Sequence, residues 1–207
     1  MSITTFILGR SGSGKSYSMH NLKGDHVVVI KVLDKPFPFR NTGIKTFATD
    51  EWQRIIAGAR KAVKNGAKVI VVDDFQYILA NEFMRRTAET GFQKFTDIGR
   101  QAWEILTELI KLPNDVRVYV LSHTEEGDGG VVKMKTIGKM LDEKITLEGM
   151  VTIVMRSLVV DGENYFSTRN SGYDTVKTPA GLFNDEFIPN DLAAVDSAIT
   201  DYYGIAA

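Results

Sequence analysis

The sequence contains no cysteine among its 207 residues. Disulfide bonds, thiolate zinc sites and cysteine nucleophiles are therefore excluded, and a reducing compartment is favoured. Histidine is scarce as well, and His20 and His26 lack the spacing of metal ligands, so we interpret them as ordinary surface or helix-end residues. Positive and negative charges are nearly balanced, because the sequence has 25 Lys and Arg residues and 26 Asp and Glu residues. Any surface that binds nucleic acid must then be a local patch.

Long apolar runs are also missing. No stretch approaches the length of a membrane span, and the N-terminus has no apolar signal core. These absences predict a cytoplasmic protein with no membrane partner. The length predicts one domain over residues 1–207, of which about 184–207 form a C-terminal helical tail.

The most informative motif is a phosphate-binding loop near the N-terminus. Residues 9–16 read Gly9-Arg10-Ser11-Gly12-Ser13-Gly14-Lys15-Ser16 and fill the pattern G-x-x-x-x-G-K-[ST]. An apolar strand over residues 3–8 precedes the motif, and a helix can begin at Tyr17. We expect an exposed loop whose backbone N–H groups, from Gly9 to Tyr17, surround a triphosphate, with help from the helix N-terminus. Lys15 would reach the β- and γ-phosphates, and the Ser16 hydroxyl would bind Mg²⁺.

Strands and helices alternate along the rest of the chain. This order predicts an α/β fold with a mostly parallel sheet, helices on both faces and an antiparallel hairpin near the C-terminus. The predicted strands are residues 3–8, 25–32, 67–74, 116–122, 150–160 and 163–169; the predicted helices are 50–65, 92–112 and 192–203. Residues 35–39 predict a rigid proline loop, 125–130 a mobile acidic loop, and 136–147 a short helix.

Two acids follow the buried strand over residues 67–74. Asp73 and Asp74 are expected at the carboxyl edge of the sheet, where ligands of open α/β sheets bind. We assign Asp73 to Mg²⁺ and Asp74 to the attacking water, although the reverse assignment is also open. We expect the strand over residues 116–122 to end near these two acids. His123 is the candidate for sensing the γ-phosphate, with Ser122 and Thr124 as alternates.

Two segments are candidates for contact with DNA. The first interleaves aromatic and cationic residues, a pattern that suits stacking on bases beside phosphate contacts, although core aromatics with solvated charges are the favoured explanation of the segment taken alone: Phe75, Gln76, Tyr77, Phe83, Arg85, Arg86, Phe92, Lys94 and Phe95. The second contains Lys133, Lys135 and Lys139. Lys133 and Lys135 alternate along an extended segment, so both can instead reach the γ-phosphate of a neighbouring subunit.

These motifs together resemble a known family. The order of the phosphate-binding loop, the Asp73-Asp74 strand end, the polar strand end and the lysine pair is similar to RecA-type ATPase cores. Segments 71–77, 81–86, 121–126, 133–139 and 142–145 look more closely like phage-encoded P-loop proteins, called phage nucleotide-binding or AAA-type ATPases and related to annealing and recombination ATPases. The resemblance spans roughly residues 3–183. The second strand ends near Lys31 and Asp34, where RecA proteins keep a catalytic glutamate.

The resemblance implies a RecA-like P-loop NTPase domain that binds ATP with Mg²⁺ and hydrolyses it. It further implies a role in phage DNA recombination, replication or repair, with single-stranded DNA, a homo-oligomer or phage replication and recombination proteins as partners. The expected catalytic residues are Lys15, Asp74, His123, Lys133 and Lys135. Two other functions remain open: a nucleotide-gated accessory protein with slow turnover, and a small-molecule kinase such as a nucleotide kinase.

Overall fold

A computed structural model describes residues 1–41, 43–138, 141 and 144–205. One mixed sheet forms the centre of the fold. Its strands are β1 (Ile3–Gly9), β2 (Val27–Lys31), β3 (Lys45–Ala48), β4 (Val69–Asp73), β5 (Arg117–Glu126), β6 (Val132–Met134), β7 (Ile153–Val160), β8 (Glu163–Ser167) and β9 (Phe187–Pro189). The helices are α1 (Trp52–Lys64), α2 (Gln76–Arg85), α3 (Gln93–Ile110) and α4 (Leu192–Tyr202).

The strand order is β3-β2-β4-β5-β1-β7-β8-β9. The six strands from β3 to β7 run parallel, β8 and β9 continue antiparallel, and β6 pairs antiparallel with the end of β5. The predicted α/β class, mostly parallel sheet and closing hairpin are therefore confirmed. Because β5 lies between β1 and β4, the loop after β1 and the acids after β4 meet at one edge, on either side of the end of β5.

Side-chain alternation along the strands divides the core into two layers. On β4, Ile70 and Val72 pack against α1, α2 and α3, whereas Val69 and Val71 face α4 and Met19. The central strands β1, β2 and β4 are buried on both faces, which explains their nearly continuous apolar sequences. The helices thus cover both faces of the sheet, as predicted.

The C-terminal segment, which we expected to form a helical tail, packs into this core. Residues 187–189 add β9 to the sheet, and α4 buries Leu192, Val195 and Ile199. Asp196 of α4 accepts two hydrogen bonds from the Arg117 guanidinium, at 3.0 and 3.1 Å, and a third from the Tyr119 hydroxyl at 2.7 Å. This buried network ties α4 to β5.

Several local predictions need correction. The helix expected after the phosphate-binding loop is only a 3₁₀ turn over Tyr17–Asn21, so the macrodipole contribution expected there is small. Glu125 and Glu126 belong to β5 and pair with β6, where we expected a mobile loop. The strands β3 and β9 and the helix α2 were not predicted. The short helix expected over residues 136–147 includes positions 139, 140, 142 and 143, which lie outside the described residues.

None of the helices in the described part of the chain has the length and apolar character needed to cross a membrane.

Candidate functional site

The glycines of the phosphate-binding loop are required by its backbone and its neighbours. Gly12 and Gly14 have φ of 79° and 93°, in the left-handed region that glycine tolerates best. A Cβ on Gly9 would lie 2.7 Å from the carbonyl oxygen of Ser157, and one on Gly14 would lie 2.8 Å from Nδ2 of Asn164. The loop therefore lies directly against β7 and β8, with no room for side chains at these two positions.

The closing strands also support the loop through polar contacts. The Ser157 hydroxyl of β7 donates to the carbonyl of Ser13, and Asn190 Nδ2 donates to Ser157 Oγ at 3.0 Å. A chain of hydrogen bonds thus runs from the residue after β9 to the centre of the loop. Sequence reasoning missed this support, because nothing in the loop motif indicates which later strand pairs with β1.

Lys15 is buried inside the loop, whereas we expected it on an exposed surface. Lys15 is 6% exposed, and its Nζ donates to the carbonyl oxygens of Gly9 and Arg10, both at 2.8 Å. Burial lowers the pKa of Lys15 to about 8, although Asp74 and Asp73 act in the opposite direction. The ammonium is therefore held at the floor of the loop, where a phosphate could replace the carbonyl oxygens as its partner.

Ser16 and Asp73 meet as the sequence predicted. Ser16 Oγ donates to Asp73 Oδ1 at 2.9 Å, and Asp73 is almost fully buried at the end of β4. Burial, and next the charge of Asp74, raise the pKa of Asp73 to about 6. A cation bound nearby would therefore stabilise the ionised form of this buried carboxylate.

The oxygens of Ser16 and Asp73 suit Mg²⁺ better than they suit a metal ion whose ligands all come from the protein. Within the described residues no three His, Asp or Glu side chains cluster closely enough to hold a metal ion. Mg²⁺ commonly takes one or two protein oxygens and completes its octahedron with water and phosphate oxygens. Ser16 and Asp73 lie next to the glycine-rich phosphate-binding loop and fit that requirement.

Asp74 is the most constrained residue of the site. Its φ of 67° places a non-glycine residue in the left-handed region, which turns its side chain away from the direction of β4. Oδ2 forms an ion pair with Lys35 Nζ at 2.5 Å, and Oδ1 lies 3.5 Å from Nε2 of His123. Burial acts to raise the pKa of Asp74, but His123 and Lys35 outweigh it and the pKa is below its ordinary value. Asp74 is therefore an anion, as a base for water must be.

His123 is the strand-end residue that faces the site. Tyr119 and Leu121 belong to the α4 layer and Val118 and Val120 to the other, so alternation places His123 with the loop and Asp73. Ser122 and Thr124, the alternates, project to the opposite face of β5 by the same alternation. The His123 ring also packs edge-on against Tyr77, with centroids 5.8 Å apart.

A cavity of about 410 Å³ connects these groups. It is lined by six residues of the loop and its exit, two prolines of the following loop, and four polar residues: Ser11, Gly12, Gly14, Lys15, Ser16, Tyr17; Pro36, Pro38; Lys35, Asp74, His123 and Asn164. Larger cavities exist, but the one beside β3 is lined by Phe47, Lys45 and α1, and contains none of the motif residues. The geometry of the motif, more than volume, identifies the candidate site.

Lys35 is a site residue that the sequence analysis missed. We noted Lys31 and Asp34 after the second strand, but these two pair with each other at 3.2 Å. Its position in the fold explains its role: β2 pairs with β4, so the loop after β2 passes close to Asp73 and Asp74. A single sequence does not show which strands are neighbours, and so it could not show that Lys35 lies beside these acids.

The remaining predicted residues lie outside the cavity. Arg10 forms a surface ion pair with Glu126 at 3.0 Å, and Gly9 and Ser13 form the back of the loop. Lys133 and Lys135 flank the buried Met134 on and after β6, as alternation requires, and Lys133 Nζ lies 3.9 Å from Glu125. Neither lysine lines the cavity of its own chain. Lys139 lies outside the described residues.

The first segment that we considered for DNA is mostly structural. Phe75 is fully buried, Arg85 pairs with Asp50, and Arg86 pairs with Glu89 and Asp97. The buried Lys94 caps the turn after α2 by donating to the carbonyls of Glu89, at 2.8 Å, and Arg86, at 3.3 Å. Phe92 differs from these residues, since it is 87% exposed. The aromatic and cationic pattern therefore reflects mainly the packing of α2 against α3.

No model of a known protein family matches this sequence, and no curated protein matches it either. The function of the chain therefore has to be argued from the site itself.

Proposed function

We propose that this protein binds Mg²⁺-ATP at the loop and hydrolyses it to ADP and phosphate. The observation that carries the proposal is the meeting of three strand ends. They bring Lys15, Ser16, Asp74 and His123 to the lining of one cavity, and they hold Asp73 against Ser16, whose hydroxyl donates to it. This combination would supply a phosphate cradle, oxygen ligands for Mg²⁺ and a carboxylate beside the cavity that can act on water.

The roles follow from the positions of the residues. Lys15 and the loop amides hold the β- and γ-phosphates, and Ser16 and Asp73 hold Mg²⁺, which neutralises charge that develops on the phosphates. Asp74 orients the attacking water and accepts its proton. His123, next to Asp74, reports the presence of the γ-phosphate to β5 and its hairpin with β6.

A RecA-like core is the P-loop NTPase fold that best supports this proposal. One strand, β5, separates the loop strand from the acidic strand. The sequence resemblance to phage ATPases extends the proposal to phage DNA recombination, replication or repair, with single-stranded DNA as the expected activator and an oligomer as the expected form. In that oligomer Lys133 and Lys135 would act on a neighbouring subunit.

One observation favours the slow-turnover alternative. Asp74, the candidate base, is engaged by Lys35 in an ion pair. A protein that uses ATP mainly as a switch would show tight binding and little hydrolysis.

The test is equilibrium binding of ATP and ADP by calorimetry, with and without Mg²⁺, followed by phosphate release with and without single-stranded DNA. We expect Mg²⁺-dependent ATP binding, and hydrolysis that DNA stimulates. Phosphate transfer to an added nucleoside monophosphate would instead indicate a kinase, and binding without hydrolysis would indicate the switch. Failure of the wild-type protein to bind any nucleotide would refute the proposal.

A further inference from the structure

Lys35 is a half-exposed cation that covers a buried carboxylate. The Lys35 side chain is 49% exposed and that of Asp74 only 3%, so the ion pair at 2.5 Å is approached from the cavity side. Lys35 and Lys15 both line the cavity but belong to loops that follow different strands, β2 and β1. The cavity therefore has one cation at its buried floor and one at its open side.

The backbone that carries Lys35 is restrained by prolines, by aromatic packing and by a hydrogen bond. Pro36 and Pro38 restrict the loop, and the rings of Phe37 and Phe39 stack at 4.8 Å and pack against the α4 layer of the core. The backbone N–H of Lys35 donates to the carbonyl of Leu33 at 2.9 Å. Movement of the ammonium between two partners thus requires only rotation about side-chain bonds.

A bound triphosphate would compete with Asp74 for Lys35. Lys15 and Lys35 lie near Asp73 and Asp74, and the terminal phosphate of a Mg²⁺-bound triphosphate adds negative charge to the cavity beyond that of the Mg²⁺-bound diphosphate. A phosphate offers three acceptor oxygens to an ammonium, whereas Asp74 has a second partner in His123.

We infer that Lys35 is a phosphate-binding residue that leaves Asp74 for the terminal phosphate and so distinguishes a nucleoside triphosphate from a diphosphate. This inference rests on the proposed nucleotide site. It assigns discrimination to a residue of the same chain, and the release of Asp74 makes this carboxylate accessible to water only when the terminal phosphate is present.

The test compares Lys35→Met with the wild-type protein and with Lys45→Met, a matched control whose lysine pairs with Asp25 on the edge strand β3. The measured quantity is the affinity for ADP and for the β,γ-imido analogue of ATP, each with Mg²⁺, by calorimetry. We expect Lys35→Met to weaken triphosphate binding by about tenfold or more, the effect of one charge-assisted hydrogen bond. Binding of ADP should change by less than about threefold. Lys35→Arg should keep most of the preference, because it keeps the charge.

Removal of Lys35 leaves Asp74 buried without this partner, so the comparison is repeated on a neutral background. Asp74→Asn should retain the triphosphate preference, and Lys35→Met/Asp74→Asn should lose it. An unchanged ratio of the two affinities in both Lys35→Met proteins would overturn the inference alone, as would an equal loss for both ligands. Absence of nucleotide binding by the wild-type and Lys45→Met proteins would overturn the proposed function and this inference with it.

Discussion

Replacement of Lys15 by methionine should abolish nucleotide binding and at the same time stabilise the nucleotide-free protein. The reason is that Lys15 is a buried ammonium whose pKa is lowered from 10.5 to about 8. A shift of this size corresponds to about 3 kcal/mol of unfavourable free energy for the charged form. Methionine has a similar length and no charge, so this penalty disappears.

The gain is partly offset by two lost hydrogen bonds. The carbonyls of Gly9 and Arg10 lose their donor, at a cost of about 1 kcal/mol each. The net expectation is a stabilisation of about 1 kcal/mol at pH 7, or about 2–4 °C in melting temperature for a chain of this size.

The pH dependence gives the sharper test. The pKa of Lys15 is lower in the folded state, so between pH 8 and 10.5 the unfolded chain binds more protons than the folded one. The stability of the wild-type protein therefore rises with pH in this window, relative to the methionine variant. The advantage of Lys15→Met should shrink from pH 8 upward and reverse at about pH 9.

The assay is urea unfolding followed by tryptophan fluorescence, since Trp52 begins α1 and Trp103 lies in α3. Lys45→Met, which removes an exposed ion pair, serves as the control and should change stability by less than about 1 kcal/mol at every pH. A Lys15→Met protein that is less stable than wild type at pH 7, or a difference that does not vary with pH, would refute the reasoning.

Three further predictions concern the metal pair, the lysine pair and the loop glycines. Asp73→Asn should weaken Mg²⁺-dependent nucleotide binding, and Asp74→Asn should keep binding and lose phosphate release; calorimetry and a phosphate assay separate the two, and opposite phenotypes would exchange their roles. Lys133→Ala/Lys135→Ala protein mixed with Lys15→Ala protein should recover ATPase activity if the lysines act on a neighbouring subunit. No recovery despite subunit exchange, with weaker and less salt-sensitive DNA binding, would place them on a DNA surface instead. Gly14→Ala should destabilise the protein by about 2 kcal/mol or more in urea unfolding, because its Cβ would meet Asn164 and Asn190 in addition to the left-handed strain. Gly12→Ala, with open space around it, should cost only about 1 kcal/mol, and equal costs would contradict the packing argument.

The sequence predicted those parts of the fold that are encoded locally. The buried strands β2 and β4 each begin with four β-branched residues, and β1 consists of β-branched and apolar residues up to Gly9. The carboxyl ends of β1 and β4 bring Ser16 and Asp73 together as expected. The helix α2 was missed because its aromatic and cationic side chains also fit a surface for nucleic acid. The periodicity that buries Ile78 and Leu79 is weak in this segment.

Other features depend on contacts between distant parts of the chain. The strand β3 has four residues and little burial, so it is defined mainly by its pairing with β2. The loop residues Gly9 and Gly14 were predicted for their backbone freedom, but their second reason, contact with Ser157 and Asn164, follows from the β1–β7 pairing. The same limitation hid Lys35, whose partner is set by the position of β2 beside β4.

The central position of β1 has a consequence for how the protein is made. Its hydrogen-bond partners, β5 and β7, are synthesised long after it, and the hydrogen bonds that support the loop come from β7 and from Asn190. An emerging chain that has not yet delivered these strands cannot hold the loop in its final conformation. Such non-local pairings also slow folding, because the ordering of the long intervening chain precedes the gain in contacts. The loop leaves the ribosome before the strands that support it and is therefore among the last parts of the fold to mature, so its ability to hold a phosphate indicates that β5 and β7 have assembled around β1.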